Sequence, residues 1–287
     1  MRILPRPFGQ VLNDGVVALG RVWRPLFATS LMVYLPTTLL TALIFSTTGV
    51  FDTLTAIVAD PGYIDTIPEA EIRELLRPLL VAVGLSLLVQ SVATLFLYLV
   101  AHRVIAADIK GDAMTGREAR RHALKRMPPG LVVLIGAEVA VLGALVVGMT
   151  LWSYIGGTTF IGMFLFILAL SPGTWLAVSF SMLSPVLALE KTGTARVLSR
   201  STSLVKGRWG ATLAFLLLVA MLGSAASSLI QWVTPLSLSG GVNPVVTVVG
   251  IIGVGFQGLI MAAIGVTWTH WYIDLRSRKE PMLIDQL

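Results

Sequence analysis

The sequence contains no cysteine. Disulfide frameworks, thiolate metal sites and cysteine nucleophiles are therefore excluded. Histidine is nearly as scarce: His102, His122 and His270 are the three, and no two have the spacing with which a helix presents a metal pair. No metal is expected. No cofactor is expected either, because P-loop, nucleophile-elbow and H-E-x-x-H patterns do not occur. Charge is the third shortage. Charged residues make up 13% and hydrophobic residues 55% of the 287, whereas an ordinary soluble domain carries roughly 25% charged residues. So little polar surface cannot cover a soluble sphere of this size, and composition points to a membrane protein. The net charge of +6 would suggest nucleic acid in a soluble chain. Here the basic residues flank apolar runs, and nucleic acid is not expected as a partner.

A helix needs about 20 apolar residues to cross a hydrocarbon core of roughly 30 Å. Residues 25–51 and 78–101 carry no Asp, Glu, Lys or Arg and give one span each. Residues 127–189 carry the single charge Glu138 and suit two spans broken at Gly156-Gly157. Residues 209–273 carry none and suit two more, broken near Ser239-Gly240-Gly241. The count is six. The connecting segments alternate in charge: 52–77 is acid-rich, while the N-terminus, 102–126, 190–208 and the tail hold 19 of the 21 basic residues. That asymmetry places both termini in the cytoplasm and favours an even count. The first 25 residues have no apolar h-region, so the first span is expected to act as an uncleaved anchor.

Three segments preceding pairs of spans read as amphipathic helices. Phe8, Val11, Leu12, Leu19, Val22 and Trp23 recur at helical spacing in the first. The second, 115–126, is strongly basic with a thin stripe of Ala119, Ala123 and Leu124. In the third, Val197, Leu198, Ser201, Leu204 and Val205 oppose Arg196, Arg200 and Ser203. Such helices can lie at headgroup level with arginine reaching phosphate. The expected fold is an all-α integral membrane protein: one domain, 1–287, of six transmembrane helices arranged as three hairpins. Each hairpin is preceded by a cytoplasmic-side amphipathic interfacial helix, N-in and C-in, with approximate repeat units 8–110, 113–190 and 193–276.

Few residues carry candidate chemistry. Glu138 lies within the third span among apolar neighbours, where an ionised carboxylate is costly unless paired. It is either a proton, cation or headgroup site or a hydrogen-bonded structural acid, with Gln90 and Gln257 as candidate partners. Gly136, Ala140, Ala144 and Gly148, at steps of four, mark a face for close helix approach. Glu138 lies about 200° around the helix from Gly136, which suggests a central third span. Gly253-Val254-Gly255-Phe256-Gln257-Gly258 matches G-x-G-x-x-G, but it sits inside an apolar run with no βαβ context and reads as helix packing. His270, among Trp268, Trp271 and Tyr272, suits an interfacial aromatic belt. Pro172 and Gly173 predict a kink or break in the fourth span, either plain or lining a cavity.

Two blocks carry a family resemblance. One runs Ser171-Pro172-Gly173, Ser184-Pro185-Val186-Leu187-Ala188-Leu189-Glu190, Leu198-Ser199-Arg200-Ser201 and Leu204 to Trp209. The other is Tyr272-Ile273-Asp274-Leu275-Arg276-Ser277-Arg278-Lys279-Glu280, with a looser third match from Pro7 to Leu26. Together they resemble the membrane domain associated with some glycerophosphodiester phosphodiesterases, which also occurs alone in bacterial membrane proteins. The resemblance implies a multi-pass protein of the bacterial plasma (inner) membrane, near lipid chemistry. In fused members a soluble catalytic domain follows. This chain ends at Leu287, so that activity is not expected of it, and the resemblance supplies no catalytic residues. Where the family usually has Ile before Pro-Gly, this chain has Ser171.

Physically, Glu190, Arg196, Arg200, Asp274, Arg276 and Arg278 form a cytoplasmic charge cluster that either locks helix ends or holds anionic headgroups. The expected function is that of a non-enzymatic polytopic membrane protein, lipid-handling or an accessory subunit. Its expected partners are membrane lipids and, alternatively, another membrane-protein subunit. The alternative function is a small-molecule transporter or exporter with Glu138 as its coupling acid.

Overall fold

A computed structural model describes residues 2–48, 69–112, 114–155, 160–233 and 244–283. The turns expected at Gly156-Gly157 and Ser239-Gly240-Gly241 lie outside the described residues, as does most of the acid-rich segment 52–77. The described chain is helical apart from one two-residue pairing. In order come β1 (Arg2–Ile3), α1 (Phe8–Thr47), α2 (Glu69–Lys110), α3 (Gly116–Ile155), α4 (Phe160–Phe180), α5 (Leu183–Leu189), α6 (Thr194–Val205), α7 (Trp209–Val233), α8 (Pro244–Lys279) and β2 (Met282–Leu283). Five helices are long and apolar enough to cross a membrane, and a sixth crossing follows if α6 and α7, bent by 99° at their junction, count together. The chain is a multi-span membrane protein.

Two of the three expected interfacial helices do not exist as separate elements. The segment from Phe8 runs without interruption through Pro25 and Pro36 into the first span, making α1 40 residues long. Residues 116–126 likewise continue through Pro128 and Pro129 into α3, also 40 residues. At 1.5 Å per residue each is about 60 Å long, twice a hydrocarbon core of roughly 30 Å. These helices therefore extend well beyond any membrane they cross. α3 starts with a reciprocal cap: Thr115 Oγ1 accepts from the Glu118 N–H at 3.3 Å, and Glu118 Oε2 accepts from the Thr115 N–H at 2.9 Å. Only the third segment, α6, stands alone. It ends at Gly207, whose φ of 83° is costly for a residue with a Cβ. Its buried residues Val197, Ser201, Leu204 and Val205 are covered by α3, α4, α5 and α8, so this face packs against protein and is not left for headgroups.

The third span, α3, has neighbours on several sides, touching α1, α2, α4, α5 and α6. α2 touches α1, α3, α5 and α8. α1 and α8 run antiparallel over their length, with glycines at the contacts. A Cβ on Gly15 would meet Thr267, one on Gly258 would meet Ser30 at 2.6 Å, and one on Gly255 would meet Leu31 at 2.7 Å. The G-x-G-x-x-G match is thus a packing face. On α3, a Cβ on Gly148 would collide with the Ala169 carbonyl of α4, and one on Gly173 would meet Leu145 at 2.6 Å. The small-residue stripe works at that end, whereas Gly136 faces open space. The termini close the seam: Arg2 pairs with Leu283 and Ile3 with Met282, antiparallel.

Burial is uneven along the bundle. Fully buried side chains such as Leu26, Leu97, Leu99, Ile105, Leu204, Phe215, Trp271 and Tyr272 belong to the end that carries the basic segments. Toward the other end, Leu80, Val81 and Leu85 of α2, Leu142 and Val146 of α3, and Leu217 and Met221 of α7 are exposed. In water such a surface would drive aggregation; in a bilayer it is the lipid-facing surface.

Candidate functional site

α3 approaches α2 closely at Gly130, where an added Cβ would meet Leu95 at 3.2 Å. It buries Val133 and Ala137, but beyond Ala137 its next buried residue is Gly148, which faces α4. The gap that opens between α2 and α3–α4 holds two adjoining cavities of about 290 and about 530 Å³. Both are lined by Leu87, Ser91, Leu134, Glu138, Phe180 and Leu183. Their lining on α2 runs from Gly84 to Tyr98, about 21 Å of helix. Glu138 and Gln90 both line the smaller cavity, with no hydrogen bond between them. Gln257 does not line it: it sits half-buried on α8, beside the glycine face that meets α1.

Glu138 is half-buried and, among the described residues, makes no hydrogen bond or ion pair. Gln90 stands midway along the uncharged stretch 78–101, so the carboxylate beside it lies near mid-depth of the apolar zone. Behind Gln90, the Tyr34 hydroxyl shares a 2.9 Å bond with Thr94 Oγ1.

Pro172 and Gly173 do not break the fourth span: α4 runs through both. Proline removes the N–H that would bond the carbonyl four residues back. Here the Ser171 hydroxyl donates to that carbonyl, of Leu168, at 2.7 Å. Ser171 thus supplies the bond that proline removes. The break comes at Ser181–Met182, between α4 and α5. The Met182 N–H donates to Ser201 Oγ at 3.1 Å, and that hydroxyl donates to the Ser179 carbonyl at 2.8 Å. Pro185 leaves the Ser181 carbonyl without its helical donor, and Trp268 Nε1 donates to it at 2.8 Å. Irregular backbone at membrane depth is tolerated only when its polar groups are satisfied by protein in this way. Ser181, Ser184, Tyr98 and Trp268 form the floor of the smaller cavity. Beside it, buried His102 ties α2 to α8 and α5 through Thr269 Oγ1 at 2.8 Å and Ser184 Oγ at 3.0 Å. The sequence reading did not foresee the break or the His102 tie, because every donor involved comes from a distant element.

The expected charge cluster separates into two networks. In the first, Glu190 accepts from Arg200 Nε at 2.9 and 3.1 Å and from the Tyr272 hydroxyl at 2.7 Å. Arg200 Nη1 also meets Glu280 at 2.6 Å, and Arg276 reaches both Glu280, at 3.5 Å, and the Tyr272 hydroxyl, at 3.2 Å. Hydrogen bonding to Arg200 holds the Glu280 carboxyl below its ordinary range. In the second, Asp274 accepts from Arg278 Nε at 2.7 Å, Arg278 Nη2 at 3.1 Å and the Arg6 N–H at 2.7 Å. Arg278 also donates to the Arg6 carbonyl at 2.7 Å, and Arg6 pairs with Asp14 at 2.6 Å. Lys279 caps the carbonyls of Ser203 and Lys206 at the end of α6. Arg196 joins neither network and is exposed. Arg6, Asp14 and Glu280 were not singled out in the sequence; the Tyr272–Glu280 block was the available signal for the last. The aromatic belt expected around His270 is also interior: Trp271 stacks on Phe215 with centroids 4.9 Å apart, and Tyr272 is fully buried.

No family model, curated protein or solved structure matches the chain. The groups available are therefore weighed on geometry alone. Among the described residues no cluster of His, Asp or Glu could hold a metal ion.

Proposed function

We propose that this chain is a non-catalytic membrane protein that holds a lipid-like guest in the groove between α2 and α3–α5. The observation that carries the reading is Glu138: an unpartnered carboxylate at mid-depth, on the wall of a groove otherwise lined by leucine, phenylalanine and helix hydroxyls. The cavity volumes fall in or near the roughly 300–1,000 Å³ usual for small-molecule sites, which are mostly apolar with a few placed polar groups. The wall residues Leu88, Ile135, Val139 and Leu142 are exposed, so a guest can enter sideways from lipid. The charged end is taken as cytoplasmic by the positive-inside asymmetry, in a bacterial inner membrane as the family resemblance implies. The charge networks favour locking over headgroup capture, since their arginines are already engaged by Glu190, Glu280 and Asp274.

Native mass spectrometry of the chain in lipid discs tests the reading. The expected result is one defined lipid-like adduct per chain, lost when Leu134→Trp fills the groove. A stoichiometric second polypeptide with no adduct would instead support an accessory subunit. Transport is the second reading, favoured by the groove's run of about 21 Å along α2. It requires a pH-linked flux that Glu138→Gln abolishes.

A further inference from the structure

We infer that the guest's buried polar group is a cation, and that the groove takes an amphiphilic amine. The inference rests on the proposed groove and concerns the chemistry of its lining. Neither cavity is lined by lysine, arginine or histidine. Four of the nearby N–H and O–H groups are committed. Ser181 Oγ donates to the Val178 carbonyl at 2.7 Å and Trp268 Nε1 to the Ser181 carbonyl at 2.8 Å. Ser184 Oγ is bonded to His102 and Thr94 Oγ1 to Tyr34, whereas among the described residues the Gln90 amide and the Tyr98 hydroxyl are free to serve a guest. The Ser91 hydroxyl can turn either way. The one charge that the lining offers a guest is therefore the Glu138 carboxylate, with the lone pairs of the serine hydroxyls and the aromatic rings of Tyr98 and Trp268, whose centroids are 6.2 Å apart, beside it.

A phosphate or carboxylate guest would meet like charge with no cation to offset it. An alcohol would gain one neutral hydrogen bond. An ammonium gains charge-assisted bonds to Glu138, strengthened by the low dielectric of the site, and attraction to the aromatic faces. Its alkyl tail has a continuous apolar path, since the larger cavity leads from Glu138 along Leu88, Ile135, Val139 and Leu142 toward the lipid-facing surface.

The test uses the full chain in phosphatidylcholine discs, with radiolabelled dodecylamine as probe and protein-free discs subtracted. Unlabelled dodecylamine, dodecanol and dodecanoate are the competitors. The expected result is saturable binding of one dodecylamine per chain, displaced by dodecylamine and not by dodecanoate. Binding should weaken at least about tenfold in Glu138→Gln and be partly restored in Glu138→Asp. Among the described residues Glu138 has no partner to lose, so Glu138→Gln should unfold at the wild-type point, and the competitor series needs no variant. If dodecanol or dodecanoate displaces the probe as well as dodecylamine does, or if Glu138→Gln binds unchanged, the cation assignment falls while a guest-binding groove stands. If none of the three amphiphiles binds saturably, the groove reading falls with it.

Discussion

Arg278→Ala should be worse for the protein than the exposure of Arg278 suggests, and neutralising its partner should repair the damage. The Asp274 side chain is 1% exposed and that of Arg278 26%. Removing Arg278 leaves a carboxylate out of water with one remaining donor, the Arg6 N–H at 2.7 Å. Breaking a buried pair from one side costs about 3–5 kcal/mol, mainly because the stranded charge is uncompensated. With one donor still in place, about 3 kcal/mol is expected. Asp274→Asn removes the charge but keeps an oxygen for Arg6, while the freed guanidinium turns to solvent, so about 1 kcal/mol is expected. The double variant strands nothing and should also sit near 1 kcal/mol below wild type. The rescue of about 2 kcal/mol relative to Arg278→Ala is roughly thirtyfold in the folded-to-unfolded ratio. SDS titration of the chain in mild detergent, followed by far-UV circular dichroism, reads all three. Additive losses in the double variant would refute the buried-carboxylate argument. Unchanged stability with loss of bound anionic lipid in Arg278→Ala would move the cluster to headgroup binding.

Three further outcomes follow from the geometry. Gly148→Ala should weaken the α3–α4 contact, because its Cβ meets the Ala169 carbonyl, whereas Gly136→Ala, with nothing within 4 Å, should be neutral or slightly stabilising through helix propensity; paired SDS titrations compare them. Ser201→Ala should cost about 1–3 kcal/mol, since it strips both the Met182 N–H and the Ser179 carbonyl of their partner at the α4–α5 break, and faster amide exchange at Met182 would report it. Acidification should weaken the first network: Glu280 is depressed below its ordinary value of 4.5, so its contribution is complete above that value and is lost as pH falls through the lower folded-state value. With 41% of its side chain exposed, the loss is about half a kcal/mol or less. Arg200→Ala should flatten that part of the stability–pH curve.

The apolar runs and the single embedded acid were legible because both depend only on composition along the chain. Gly255, Gly258 and Gly148 were legible as packing points for the same reason: a helix presents small residues where backbones must approach. The long helices were less legible. Proline reads as a stop, yet α1 and α3 pass through Pro25, Pro128 and Pro129, and a helix packed among others can carry proline where the freed carbonyl finds another donor. Ser171 shows this on a local scale, since its hydroxyl serves the carbonyl that Pro172 abandons. The real break at Ser181–Met182 depends on Ser201 and Trp268, residues 19 or more positions away, and no periodicity encodes that. The charge cluster was found by proximity in sequence, but its division into two networks depends on Arg6 and Glu280, and on Arg196 pointing elsewhere.

The lock and the groove are two ends of one mechanical arrangement. Asp274, Glu190 and His102 hold α8, α5 and α2 in register at the charged end, and the cavity floor, Tyr98, Trp268, Ser184 and Leu187, belongs to the same tightly packed region. The walls do not: Leu87, Ile135 and Val139 stand on stretches of α2 and α3 that are exposed to lipid and touch few buried partners. A site built this way has a preorganised floor, where polar groups must be placed to a few tenths of an ångström, and walls that can part to admit a chain from the side. α5 joins the two, since it ends at Glu190 of the first network and contributes Ser184 and Leu187 to the floor. A guest held at Glu138 would in turn join α3 to the floor residues of α2 and α8.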